Sequence, residues 1–373
     1  MFASAATKQT KQTFLGLAQK RFNHDLIISS KTGRPIIKRG GGGRSSSSGH
    51  VVTVFGCTGF LGRYLVNRIA REGAHVIVPY RDEDDMRHLK VMGDLGKIIP
   101  MEIHLRNKDS LEAAIRHSDT VYNLLGRDYE TRNFSFEDVH VEAAGILAEL
   151  ATKHEVDRFI QVSALNANVD SPSRFLSTKA KGEEVVRSAF PNATIVRPSA
   201  MYGQEDRFLA RLAMSRGLSI RINEGTTKVR PVNVADVGAG MRIMLDDPKT
   251  VGQIYELVGD QEYTYAQLLQ FIKETTNQDL GEINVPKPVA NMIAKALNFL
   301  PWQTVGADEI ERMMIDDKLT PGAKTFEDLG IEPTSLELTG IQYLRRFRSN
   351  LYTDDPLPKG VVGKKKVYHT QYL

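Results

Sequence analysis

The chain has 373 residues, 41% hydrophobic and 25% charged, with a formal net charge of +4. That length holds one large domain or two modest ones. No apolar run approaches a bilayer span, the single cysteine, Cys57, excludes an internal disulfide, and the nine histidines show no zinc-ligand spacing.

The charge is uneven along the chain. Residues 1–50 carry nine Lys or Arg and one acid, Asp25, so they hold +8 and the remaining residues hold −4. The basic excess belongs to the arm, and the body has none to offer nucleic acid. The first 24 residues contain no acid and combine Lys8, Lys11, Lys20 and Arg21 with Phe14, Leu15, Leu17 and Phe22. This is the composition of a mitochondrial transit peptide, with processing expected near Arg21–Asn23. Residues 25–50 read as a flexible arm or linker ending in GGGGRSSSSGH (Gly40–His50), too rich in Gly and Ser to pack.

The pattern then changes. Val51–Phe55 is short, uncharged and β-rich, as a strand buried on both faces should be. Gly56, Gly59 and Gly62 follow, and from Phe60 the apolar residues Leu61, Leu65 and Ile69 take helical spacing. Gly73 is placed to end that helix, and His75–Tyr80 reads as a second strand. Strand, glycine turn, helix, strand is the phosphate-binding half of a dinucleotide fold. Gly56 allows the tight turn, Gly59 lets the backbone approach a pyrophosphate, and Gly62 allows close helix–strand contact. The free N–H groups at the helix start face the phosphates. Cys57 reads as a small packing residue, because a bound pyrophosphate opposes a thiolate.

The end of the second strand selects the nucleotide. An acid there suits the ribose 2′-OH of NAD, and a base suits the 2′-phosphate of NADP. Arg81 comes first and favours NADP(H); Asp82, Glu83, Asp84 and Asp85 follow it and leave NAD open.

Further strands are expected at Ile98–Ile103, Thr120–Leu125, Arg158–Val162 and Thr194–Val196, with helices at Asp109–Arg116 and from a Ser135 cap to Lys153. The alternation implies an α/β fold: a Rossmann-like, doubly wound parallel sheet, with a smaller, irregular α+β C-terminal part. The expected division is a nucleotide domain over 51–257 and a partner-contact region over 258–373. Past Gly203 a strand leads into a helix within Val229–Leu245, and Tyr263–Thr276 is an amphipathic helix with Thr264 near its cap. Lys287–Trp302 carries an apolar face that either covers its own domain or lies on a membrane or partner. The tail around Lys359–Lys366 is basic.

Ligands of such sheets gather at the C-terminal strand ends, near Gly126, Ser163 and Pro198. The spacing G-x-x-G-x-x-G resembles the extended and atypical branches of the short-chain dehydrogenase/reductase superfamily. Its members pair a Ser at the end of the fifth strand with Tyr-x-x-x-Lys on the next helix, where the Tyr moves a proton and the Lys holds the ribose. Ser163 and Lys179 match that pattern, but the Tyr position holds Phe175, which has no proton to transfer. Tyr202 and Tyr129 are the substitutes nearest in sequence. His104, with Asn107 after it, stands where the superfamily often places an Asp near the adenine.

A narrower resemblance rests on GRSSSSGHVVTVFGCTGFLGRYLVNRIAREGAHVIVPYR, HLKVMGDLG, NLLGRDYETRNFSFEDVHVE, VSALNAN, VRSAFPNATIVRPSAMYGQEDRFL and VRPVNVADV. From about Lys31 to Leu257 the chain is similar to the nucleotide-binding accessory subunits of mitochondrial respiratory complex I (NADH:ubiquinone oxidoreductase). The resemblance implies tightly held NADPH without turnover, on Gly56, Thr58, Gly59, Phe60, Leu61, Gly62, Arg81, Leu125, Gly126, Ser163, Lys179 and Pro198. It also implies a peripheral position on the matrix side of the inner membrane, among core and accessory subunits near the quinone site. Separately, the basic C-terminal tail reads first as a solvated tail, with peripheral lipid contact through the C-terminal region as the alternative. Two other readings remain: a working NADP-dependent reductase or epimerase with a replacement acid, and a module that senses NADP(H).

Overall fold

The computed structural model describes residues 26–28, 35–39, 43–214, 218–277, 281–286, 288–289, 292 and 307–348. The expected transit peptide and basic tail, and most of Lys287–Trp302, lie outside these residues.

Seven strands form one parallel sheet: β1 (Val51–Phe55), β2 (His75–Tyr80), β3 (Ile98–Glu102), β4 (Thr120–Asn123), β5 (Arg158–Val162), β6 (Thr194–Pro198) and β7 (Ile254–Leu257). Their order across the sheet is β7-β6-β5-β4-β1-β2-β3. The order reverses between β1 and β4, the crevice where open α/β sheets place their ligands. Six of these strands were legible as apolar runs. The seventh, Ile254–Leu257, was not, because its run includes Glu256, whose burial only a distant partner explains.

Helices cover both faces. On one side α1 (Phe60–Arg71) packs with α5 (Val234–Asp246) over Val52, Val54, Val76 and Val78. On the other, α2 (Lys108–Ile115), α3 (Ala143–Lys153) and α4 (Arg174–Ala189) bury Leu111, Leu147 and Val186 against Phe55, Val121 and Phe159. The entry to α3 matches the expected capping box: Ser135 N–H donates to Asp138 at 2.8 Å and Asp138 N–H to Ser135 Oγ at 3.2 Å. The first turns are not regular, however; Asp138–Glu142 is a π-helical stretch, an irregularity often found at functional sites.

The C-terminal part adds α6 (Tyr265–Thr276), which has a complete Thr264–Gln267 capping box, then α7 (Ala307–Arg312) and α8 (Leu336–Leu344). Leu268, Ile272, Leu336 and Leu344 form a small core with Tyr202 and Leu209. Phe326, Leu329 and Ile331 return to the main core. Half-buried Arg197 on β6 joins these parts: it bonds Glu183 of α4 at 2.7 and 3.0 Å and Glu256 of β7 at 3.2 Å, and Thr320 donates twice to Glu256 at 2.7 Å. The two carboxylates are buried, so removing the guanidinium that pairs them would leave both uncompensated.

The end of the Gly/Ser-rich arm packs, unlike its composition. Ser46–Gly49 are half-buried, Ser47 pairs with Arg39, and Ser48 N–H donates to Gly73 O at 3.3 Å. His50 is 7% exposed and lies 2.9 Å from Asp119 and 3.3 Å from Asp246. Burial opposes the imidazolium, but the hydrogen bonds to both carboxylates outweigh it and push the pKa up to about 9.

Two predictions follow from these contacts. A Cβ on Gly62 would stand 2.5 Å from the backbone oxygens of both Gly56 and Cys57. Gly62→Ala is expected to cost roughly 1–3 kcal/mol in urea unfolding, with no larger effect than this from an exposed control site on α1. The folded imidazolium of His50 persists to about pH 9 and the unfolded one only to 6.5. Its stabilisation is therefore complete below pH 6.5 and is lost as pH rises through 9, about 3 kcal/mol in all. Urea unfolding between pH 6 and pH 9.5 should show that decline, and His50→Gln should flatten it; identical slopes would refute the clamp.

Candidate functional site: the cleft at the sheet's switch point

The glycine turn leaves β1 directly into α1. Gly56 has φ +76°, and a Cβ there would lie 2.9 Å from Leu124 O, so the turn presses on the end of β4. Gly59 is the N-cap in extended conformation; no side chain caps it and the first turn carries no acid. The N–H groups of Phe60, Leu61 and Gly62 thus meet no competing carboxylate, and the helix dipole favours an anion there. Leu61 sends its side chain into the core, Phe60 stacks edge-on against Tyr64, and Thr58 O accepts from Arg63 Nε at 3.3 Å. Cys57 is fully buried, donates to Pro79 O at 3.2 Å and has its thiol pushed up to about 12 by burial. It is a packing residue, as read from the sequence.

Arg81 stands exposed just past β2. Three of the four acids after it are occupied elsewhere. Asp82 caps the next turn by accepting from Asp84 N–H at 3.0 Å, Asp84 pairs with Arg87 at 3.0 Å, and Glu83 with Lys90 at 3.7 Å. Among the described residues Arg81 forms no ion pair, which leaves its guanidinium for a ligand. Asn107 serves as the N-cap of α2, accepting from Asp109 and Ser110, and His104 faces Glu102 at 3.7 Å on the surface.

The other wall comes from β4, β5, β6 and α4. Lys179 is 6% exposed, and its Nζ donates to Leu125 O and Val162 O at 3.3 Å each. Burial pulls its pKa down to about 8. Gly126 lies against it; a Cβ there would be 3.1 Å from Nζ. Ser163 follows Val162, and among the described residues its buried Oγ has no hydrogen-bond partner. An unpartnered buried hydroxyl costs roughly 1–3 kcal/mol unless a ligand takes it up. Pro198 is buried at the end of β6, where its oxygen accepts from Leu165 N–H at 3.0 Å.

Lys179, Leu125, Gly126 and Ser163 are therefore brought together, and the glycine turn joins them through Leu124. Arg81 shares their edge of the sheet but touches none of them.

Three residues of this wall escaped the sequence reading. His140, on the π-helical stretch, accepts from Arg127 N–H at 3.3 Å and bonds Thr178 Oγ1 at 3.0 Å. Burial, with Lys179 and Arg312 nearby, pulls its pKa down to about 2, so it stays neutral. Asn123 accepts from Leu125 N–H at 3.1 Å and donates to Gln161 at 2.8 Å, which holds the end of β4. Arg312 reaches in from α7. Motif GRDYETRNFSFEDVHVE contains His140, but no local signal pointed to Arg312.

Phe175 lies one turn before Lys179, with its ring 5.9 Å from Nζ. Phe136 and His140 meet it edge-on at 6.0 and 5.2 Å, and the Arg312 guanidinium lies 4.3 Å from its centroid. Neither substitute tyrosine takes over the phenol's place. Tyr202 is buried, with its hydroxyl bonded to Thr339 at 3.0 Å and Thr334 O at 3.2 Å; Tyr129 is 38% exposed beneath Arg127.

The comparisons with known proteins agree with this geometry. Residues 48–328 match the NmrA-like family. The chain is 48% identical over 357 residues to the mitochondrial NADH-ubiquinone oxidoreductase 40 kDa subunit of Neurospora crassa, covering 95% of this chain and 94% of that protein. It is 42% identical over 357 residues to the mitochondrial NADH dehydrogenase (ubiquinone) 1 alpha subcomplex subunit 9 of Mus musculus, covering 94% and 91%. The solved structure of an NADPH-dependent quinone oxidoreductase from Escherichia coli, complexed with NADPH, has a TM-score of 0.61 at 17% identity, covering 79% of this chain and 99% of that one. That last likeness is one of fold alone. The sheet order, the glycine turn and the identity along nearly the whole length lead to one placement: the chain belongs to the NmrA-like family, and within it to the family of these mitochondrial NADH–ubiquinone oxidoreductase subunits.

Proposed function

We propose that the chain is a non-catalytic accessory subunit of respiratory complex I that holds NADPH as a structural ligand on the matrix side of the inner membrane. The observation that carries this reading is a dinucleotide cradle kept complete around a proton-transfer position that holds Phe175. The helix start at Gly59–Gly62 would receive the pyrophosphate, Arg81 the 2′-phosphate, and Lys179 and Ser163 the nicotinamide end. When bound, NADPH supplies a hydride donor. In this chain the general acid that would accompany it, commonly worth about 10²–10⁴ in rate, is missing. What Phe175 and neutral His140 do supply is a dry, apolar wall beside Lys179.

A ligand that binds only the folded state, at about 1,000 times its Kd, adds about 4 kcal/mol of stability without any turnover. The relatives' names support membership of the assembly. Among the described residues no helix is long and apolar enough to cross a membrane, consistent with a peripheral place.

Purification from mitochondria in mild detergent tests the reading. The protein should co-migrate with a respiratory assembly and release NADPH on denaturation; a free monomer would refute it. Arg81→Ala should weaken NADPH retention about tenfold through loss of a charge-assisted phosphate contact, and reduce incorporation. Unchanged nucleotide content would remove Arg81 from the site.

A further inference from the structure

We propose that the substrate half of the cleft is a docking site for the chain's own segment 307–318, which seats Arg312 on Phe175 and closes the face from which a substrate would meet α4. This closure rests on the reading of the protein as a nucleotide holder without turnover, and it is a second block, separate from the missing phenol.

The segment is fastened at both ends. At its start, Asp308 accepts from Ser173 Oγ at 3.0 and 3.1 Å and from Arg174 N–H at 2.6 Å. Ser173 is the N-cap of α4, so Asp308 adds a carboxylate where that helix's dipole favours one. Glu309 is held from outside by Arg211 at 2.5 Å. At the far end, Asn166, in the loop after β5, donates to Asp316 O at 3.0 Å and accepts from Lys318 N–H at 3.1 Å.

Between these anchors Arg312 crosses the ring of Phe175. Its Nη2 donates to Asp128 O at 3.0 Å, and its side chain is 19% exposed. Its Nε is buried without a hydrogen bond, 3.5 Å from Asp308. A guanidinium is attracted to the face of Phe and Tyr alike, so the closure does not depend on which ring lies beneath. Restoring the phenol would leave the same cation in the substrate's place.

Accessibility of position 175 in the full-length protein tests this. The probe is a maleimide on Phe175→Cys; the chain's only native cysteine, Cys57, is fully buried. F175C should label slowly in the folded protein, because Asp308 and Asn166 hold the segment over position 175 without the ring, and F175C/R312A should label several-fold faster. F175C/D308A releases the anchor without touching the ring, and should give the same gain if R312A fails to fold. Equal rates in the single and double variants overturn the closure. So does Phe175→Tyr alone, if it oxidises NADPH with 9,10-phenanthrenequinone above the wild-type rate. Nucleotide released on denaturation is measured alongside. Protein without NADPH would refute the functional reading, while the contrast in labelling would still decide the closure.

Discussion

The turn after β1 lies so close to α1 that Gly62 has room for no side chain, and the whole cleft is built outward from that contact. It sets the helix start directly beyond the strand, with its N–H groups uncapped and without acid nearby. Gly56 presses the same turn against Leu124, so the position of β1's loop is passed on to the end of β4. From there Lys179 carries the frame further, because its ammonium takes carbonyls from β4's loop and the end of β5 together. A steric constraint on one side and a buried charge on the other hold two walls at fixed separation.

Within that frame the features for holding a dinucleotide and those for reacting it have parted. Arg81 is free of the carboxylates beside it, and Ser163 keeps an unpartnered hydroxyl. The buried hydroxyl is costly unless a partner takes it up, whereas the exposed guanidinium is solvated and available to an anion. The proton-transfer position has gone the other way. Phe175 is packed by Phe136, His140 and Arg312, an aromatic and cationic setting in which the carboxylates of Asp128 and Asp308 face Arg312. The relatives at 48% and 42% identity are subunits of mitochondrial NADH–ubiquinone oxidoreductase, and under the function proposed above the nucleotide would be part of the folded structure.

Charge does its structural work at seams. His50 fastens the arm to β4's approach through Asp119 and to α5 through Asp246. Arg197 fastens α4, β6, β7 and the returning chain at Thr320. Each seam has a buried member, His50 in one and Glu183 and Glu256 in the other, so breaking it from the opposite side is costly. They explain why an arm composed of Gly and Ser ends in packed structure: its composition lacks apolar surface, and a single histidine between two carboxylates supplies the attachment.

Much of the cleft was readable because it is local. Strand, glycine turn and helix occupy consecutive residues, and Phe175 and Lys179 are four apart on one helix, so periodicity alone put them on one face. The Thr264 and Ser135 caps were readable for the same reason, each a matter of three residues. Tertiary structure decided what depends on residues far apart in the chain. Glu256 hid the seventh strand until Arg197 explained its burial. Arg81 was ambiguous beside four acids until the other partners of three of them were known. The π-helical turn that aims His140 has no periodic signature, and Arg312 reaches Phe175 from more than a hundred residues away. The sequence by itself determined the strand, glycine turn and helix that open the cleft, and that position 175, one turn before Lys179, holds a phenylalanine. Only the folded chain, by bringing distant charges onto the same few side chains, decided how the rest of the site is filled.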